Sequence, residues 1–196
     1  MRICMLSGAD REEPYGSMIR PLSLAAGLID RGMQILHFCT RAPIDITHDQ
    51  DLEFQEFGDE SKPKRLRMLL QSCKRFRPDI VYSHQLNSAK LGFFLSGLLR
   101  KPHIYDSHSS ILLEEPAHVL IPKRMRKRQF FHERVIIRSA SRIVVPSIEL
   151  KDFFLRNFRI NEGKISIVKN GVDTSRFKPT SPEQGLKRKL GIEPDE

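Results

Sequence analysis

Four stretches of this chain carry residue types that can do chemistry, and each follows a run that reads as a buried strand. After Arg2-Ile3-Cys4-Met5-Leu6 come Gly8 and Asp10, and Gly16-Ser17 then opens an apolar helical pattern. Backbone N–H groups at a helix start, aided by the helix dipole, suit a phosphate. The spacing is not G-x-G-x-x-G, so an ordinary loop is the competing reading. The run Pro78-Asp79-Ile80-Val81-Tyr82-Ser83-His84 ends in His84, and Pro102-His103-Ile104-Tyr105-Asp106-Ser107-His108 ends in Asp106 and His108. His108 lies two residues beyond Asp106, on the same side of an extended strand, where the carboxylate supports an imidazolium. A strand-tip histidine also serves as a surface or supporting residue, so both roles stay open. Finally, Lys164 to Val168 runs into Asn170-Gly171, a pair expected to make a left-handed turn. No His-x-x-x-His or Cys-x-x-Cys spacing marks a metal site, and no metal is expected. A Gly-x-Ser-x-Gly elbow and a P-loop are absent, which removes the hydrolase and NTPase readings.

These residues need a scaffold that brings strand ends together. Met18, Leu22, Leu24, Ala25, Leu28 and Ile29 recur with helical period, with Arg31-Gly32 as the stop. Strands are expected at Gln34–Cys39 and Leu52–Phe57, a helix at Pro63–Phe76, and an apolar helix from Asn87 to Leu99. A long basic helix reaching about Ala140 follows, then a strand from Arg142 to Val145 and a helix capped by Ser147. Alternation of this kind predicts an α/β, Rossmann-like, doubly wound and mainly parallel sheet of about seven strands with helices on both faces. In such a sheet the ligand lies outside the carboxyl ends of the strands, where the four stretches fall.

Composition is that of a globular protein: 39% hydrophobic and 29% charged residues over 196 positions, enough for one sizeable core. No segment is apolar enough to span a membrane and the start does not read as a signal peptide, so a cytoplasmic location is the expectation. Cys4, Cys39 and Cys73 are odd in number and far apart, and read as reduced core residues. The formal charge of +9 is unevenly spread. Seven Lys or Arg and no acid lie between Lys62 and Arg77, where Leu66, Leu69 and Leu70 at helical spacing suggest a solvated face. Between Lys123 and Arg142 there are eight, opposed only by Glu133. Here Lys123, Arg124, Arg126, Lys127 and Arg128 accompany Phe130 and Phe131, a mixture suited to an anionic membrane surface. Nucleic acid is disfavoured, since no zinc-finger or RNA-recognition signature is present.

Taken together, these stretches resemble the amino-terminal half of family 4 retaining glycosyltransferases of the GT-B fold. The likeness rests on Gly16-Ser17 leading to the helix end at Leu24–Gly32, on the strands ending in His84 and His108, and on Glu133 through Ser139-Ala140-Ser141-Arg142-Ile143-Val144-Val145-Pro146-Ser147. It continues through Lys164-Ile165-Ser166-Ile167-Val168-Lys169-Asn170-Gly171-Val172-Asp173 to Phe177-Lys178-Pro179. The resemblance implies an acceptor-side domain over 1–179, with 180–196 as a linker and the start of a donor-binding domain absent from this chain. It implies a nucleotide-sugar donor, held at Gly16, Ser17, Asn170 and Gly171, and a sugar or lipid-linked acceptor. It makes His108 the catalytic residue facing the transferred sugar, with His84, Asp106 and Asp10 on the substrate side. Family members often carry Gly-Gly where this chain has Gly16-Ser17. Alone, the chain is expected to bind donor weakly and transfer nothing. The rival expectation is a non-catalytic α/β module docking to an anionic membrane or acidic partner through the basic helix.

Overall fold

The computed structural model describes residues 1–7, 16–39, 51–57, 60–113, 123–172, 174 and 177–178. Among the described residues seven strands form one sheet: β1 (Arg2–Leu6), β2 (Gln34–Cys39), β3 (Leu52–Glu56), β4 (Ile80–His84), β5 (His103–Asp106), β6 (Arg142–Val145) and β7 (Ile165–Ile167). Their order is β3-β2-β1-β4-β5-β6-β7, and every pairing is parallel. Among the described residues five α-helices intervene: α1 (Gly16–Ile29), α2 (Lys62–Phe76), α3 (Gln85–Leu99), α4 (Lys123–Ser139) and α5 (Ile148–Phe158). The expected boundaries shift by one or two residues, as at α3, which starts at Gln85 rather than Asn87.

Handedness explains how the helices are shared between the faces. Crossovers between parallel strands are right-handed, so a helix reached by stepping one way along the sheet and a helix reached by stepping the other way lie on opposite faces. α1 connects β1 to β2 in one direction, whereas α2 to α5 lead the other way from β3 to β7. Alternation within the strands follows suit. Ile3 and Met5 pack with Ile35, Tyr82 and Ala25 of α1, while Cys4 and Leu6 pack with Leu36, Phe38 and Val81 beneath α2 and α3. Tyr105, Ile143 and Val145 continue that second face under α4 and α5, with Phe154 and Phe158 as its largest aromatic inserts. All three cysteines are buried and free, as expected. The direction in which successive strands are added reverses between β1 and β4, and their carboxyl ends open the crevice that this topology offers a ligand.

Local features fix the helix ends beside this crevice. Ser147 accepts a hydrogen bond from the Leu150 N–H at 3.3 Å, capping α5. Gln85, the first residue of α3, has φ of 62°. Left-handed backbone in a non-glycine residue is strained, and here it turns the chain from β4 into α3 directly after His84. The expected left-handed turn at Asn170-Gly171 is not formed: neither residue has a positive φ. The segment leaves β7 without a tight reversal, and the Asn170 side chain is tied to α1 instead.

Candidate functional site

Asp106 ends β5 fully buried, and other segments converge on its two oxygens. Arg20 of α1 donates from Nε to both, at 3.1 and 3.2 Å. The Tyr82 hydroxyl from β4 donates to Oδ2 at 2.8 Å. His84 and His108 flank the carboxylate, with His84 Nδ1 3.6 Å from Oδ2 and His108 Nε2 3.6 Å from Oδ1. Those separations exceed a hydrogen bond, so the imidazoles are neighbours of the carboxylate rather than bonded to it. The two rings lie edge to face with centroids 5.9 Å apart, and Tyr82 lies 4.7 Å from His84. Arg20 also donates from Nη1 to Asn170 Oδ1 at 2.8 Å, which brings the segment after β7 into the same cluster.

The side chain of His108 is 21% exposed, against 1% for His84 and none for Asp106. Of the three, His108 is therefore the one a ligand can touch. Burial holds its imidazole below the ordinary histidine value; Asp106 opposes that shift and the Arg20 guanidinium adds to it. His84 is held further down, by burial first and then by the charges of His108, His37 and Arg20. Burial and the Arg20 charge thus work against the imidazolium that Asp106 was expected to support. Asp106 already has a full cationic partner in Arg20, and removing His108 from water disfavours its charged form. A neutral His108 offers a substrate one N–H donor and one lone pair. Both ring nitrogens of His84, and Nε2 of His108, are buried without a hydrogen-bond partner.

Ligand-type atoms of His84, Asp106 and His108 lie within 4.8 Å of one another, a spacing that could in principle receive a cation. The Arg20 guanidinium lies against both oxygens of Asp106, so a cation there would meet a positive charge already in place.

The other expected site residues fall as follows. Gly16 and Ser17 form the first turn of α1, one turn ahead of Arg20, so their backbone lies at the N-terminal end of that helix. Gly171 follows Asn170 on the exposed segment after β7. Asp10 lies outside the described residues, as do residues 179–196. Lys123 starts α4, and Arg124, Lys127 and Arg128 are exposed along it, with Arg126 half-buried. Near that basic stretch Phe131 stands 62% exposed. Sequence reasoning missed Arg20 and Tyr82, which hold Asp106. Arg20 sits inside an apolar helical pattern just before Pro21, and an arginine interrupting such a pattern was the only available hint.

A depression of about 440 Å³ lies at the opposite end of the sheet, lined by Phe93, Phe94, Leu98, Lys101 and His103 among others. It is open and mostly apolar, and it lacks the convergent polar groups of the Asp106 cluster. The Asp106 cluster at the carboxyl rim is therefore the candidate site.

Comparison with known proteins places the chain in a family. The profile of Glycosyltransferase Family 4 matches residues 20–176. D-inositol 3-phosphate glycosyltransferase from Corynebacterium kroppenstedtii is 25% identical over 122 residues, 61% of this chain and 27% of that protein. The enzyme of the same name from Streptomyces avermitilis is 23% identical over 130 residues, 65% of this chain and 28% of that protein. The solved structure of HepE from Anabaena in complex with UDP-glucose superposes with a TM-score of 0.70 at 19% identity, over 97% of this chain and 50% of that one. Sucrose-phosphate synthase from Thermosynechococcus elongatus superposes with a TM-score of 0.74 at 15% identity, over 100% of this chain and 53% of that one. The chain thus spans about half the length of these solved proteins, and its match covers little more than a quarter of the curated relatives.

Proposed function

The chain belongs to glycosyltransferase family 4, and we propose that it forms the acceptor-side lobe of a retaining transferase that moves a sugar from a nucleotide-sugar donor to a sugar or lipid-linked acceptor. In this reading residues 1–179 form the lobe, and residues 180–196 lead toward a second, donor-binding lobe that closes over the cleft. The observation that carries it is the gathering of His84, Asp106, His108 and Asn170 around Arg20, on the carboxyl side of a sheet whose strand order opens its crevice there.

The donor diphosphate lies against the first turn of α1, where the N–H groups of Gly16 and Ser17 and the helix dipole favour negative charge, and against Asn170 and Gly171. The HepE complex with UDP-glucose supports a uridine nucleotide as the donor class to try first. His108, the exposed member of the cluster, faces the transferred sugar; as a neutral imidazole it serves by hydrogen bonding rather than by charge. His84, Asp106 and Asp10 line the substrate side. Most of the rate comes from electrostatic stabilisation of the departing diphosphate while the acceptor hydroxyl attacks on the same face. The charge is met by backbone amides and by cations of the second lobe, without a metal. The isolated chain binds donor weakly and does not turn over.

A location in the cytoplasm, peripheral on an anionic membrane surface, completes the proposal. Among the described residues no helix is long and apolar enough to cross a membrane. The exposed Arg124, Lys127 and Arg128 with Phe131 give α4 the mixed basic and apolar face that adsorption needs. The same face is what a non-catalytic docking module would use. NMR with added UDP-glucose separates the two readings. The transferase reading expects shifts at the amides of Gly16, Ser17 and Asn170 and at the His108 ring; a titration that leaves all four unmoved removes it.

A further inference from the structure

The proposed chemistry uses the rim but leaves its most connected side chain without a role. Arg20 is 8% exposed, lies one turn into α1 and reaches two segments that are 86 and 150 residues away in sequence. A buried arginine is costly to desolvate, and one that only balanced Asp106 would need no second contact. Here the second contact has a definite chemical consequence. Arg20 has donors and no acceptor, so its partner on Asn170 must be the amide oxygen. That fixes the flip of the amide and leaves the two Nδ2 N–H donors for another acceptor. Arg20 Nη2 is also buried with no hydrogen-bond partner, so this guanidinium retains donor capacity beyond Asp106 and Asn170.

We propose that Arg20 is the positioning residue of the site: its one guanidinium holds the Asp106 carboxylate as its own counter-charge, so that His108 stays a hydrogen-bonding group, and it orients Asn170 with its amide donors offered to substrate. The catalytic meaning of this arrangement rests on the transferase reading; the arrangement itself does not. Among the described residues, the charged and titratable groups around His108 come from four elements. They are Arg20 from α1, Tyr82 and His84 from β4 and Asp106 from β5, with Glu133 of α4 bonded to Ser110 two residues beyond His108 at 3.0 Å. His37 of β2 acts on His84 from the far side and is itself bonded to Ser7 Oγ at 2.7 Å. Among the described residues, Asp106 and Arg20 are the charges that shift His108 after burial, and they act with opposite sign.

The test is to follow the His108 ring by NMR as a function of pH in the wild-type chain and in Arg20→Gln, Arg20→Lys and Asp106→Asn. In Arg20→Gln the carboxylate loses its cation and turns to His108, so the titration midpoint is expected to rise by about one pH unit or more. Arg20→Lys keeps the cation and should hold the midpoint near that of the wild type. Asp106→Asn removes the opposing charge and should lower it. A fold defect alone would not raise one midpoint, hold the second and lower the third. Should Arg20→Gln fail to fold, the lowering in Asp106→Asn and the constancy in Arg20→Lys carry the test. An unchanged His108 midpoint in every folded variant overturns the electrostatic half of the proposal. For the other half, the Asn170 side-chain amide resonances should move toward free-chain positions in both Arg20 variants; their staying in place overturns it. UDP-glucose is absent from all these measurements, so their failure is distinct from failure of the transferase reading.

Discussion

Among the described glycines assessed for an added Cβ, Gly92 is the one where a single methyl group should cost most, and its effect can be worked from distances. It lies on the buried side of α3, above a Ser83 Oγ to His103 Nε2 contact of 2.7 Å that joins β4 to β5 below their functional tips. A Cβ added at Gly92 would meet His103 Nε2 at 2.8 Å, Ser83 Cβ at 3.0 Å and Ser83 Oγ at 3.1 Å. Two of these neighbours form the buried polar pair, so relief requires breaking it or pushing the helix outward. In Gly92→Ala, the better helix propensity of alanine contributes about 1 kcal/mol in favour. Overpacking costs about 1–3 kcal/mol, and an unsatisfied buried polar pair costs about 1–3 kcal/mol more. The steric and polar terms win, and a net loss of about 2–3 kcal/mol is expected. Urea unfolding followed by circular dichroism should show a lower midpoint with an unchanged slope. In a His103→Ala background the same substitution should cost at least about 1 kcal/mol less, because its nearest obstacle is gone. A Gly92→Ala chain as stable as the wild type would refute this account of how α3 seats on the sheet.

Acid should destabilise the fold within a defined window. His37 and His103 are pushed down to about 4 by burial, so below pH 6.5 the unfolded chain takes up protons that the folded chain refuses. Stability present above pH 6.5 is lost as pH falls toward 4, by on the order of 3 kcal/mol for each histidine, and urea midpoints at pH 7.5 and 5 test this. A flat profile across that interval would contradict the buried neutral imidazoles. Arg77 closes α2 in the left-handed conformation with φ of 54°. Arg77→Gly relieves that backbone and should raise stability by about 0.5–1 kcal/mol in the same assay; a loss would show that the arginine side chain has an uncounted role.

The sheet was legible because each strand is a short apolar run and each helix keeps its period, and both signals are local. The rim was legible as positions, since polar residues directly after strands are recognisable before any contact is known. What joins those positions was not legible. The pairings of Arg20 with Asp106 and Asn170 span 86 and 150 residues and depend on which strands become neighbours. Histidine charge depends on burial, which the sequence stretch around His108 does not reveal. Asn-Gly suggested a tight turn because that pair tolerates one; a long-range hydrogen bond from Arg20 placed Asn170 in an open segment instead.

The central claim is that this rim performs sugar transfer with His108 at the transferred sugar. The most direct measurement is kcat for transfer from a nucleotide sugar by the protein carrying both lobes, with and without His108→Ala. A fall of more than about tenfold, equivalent to about 1.4 kcal/mol of transition-state stabilisation, is expected. An unchanged kcat in a folded His108→Ala enzyme would contradict the claim and leave His108 a structural residue.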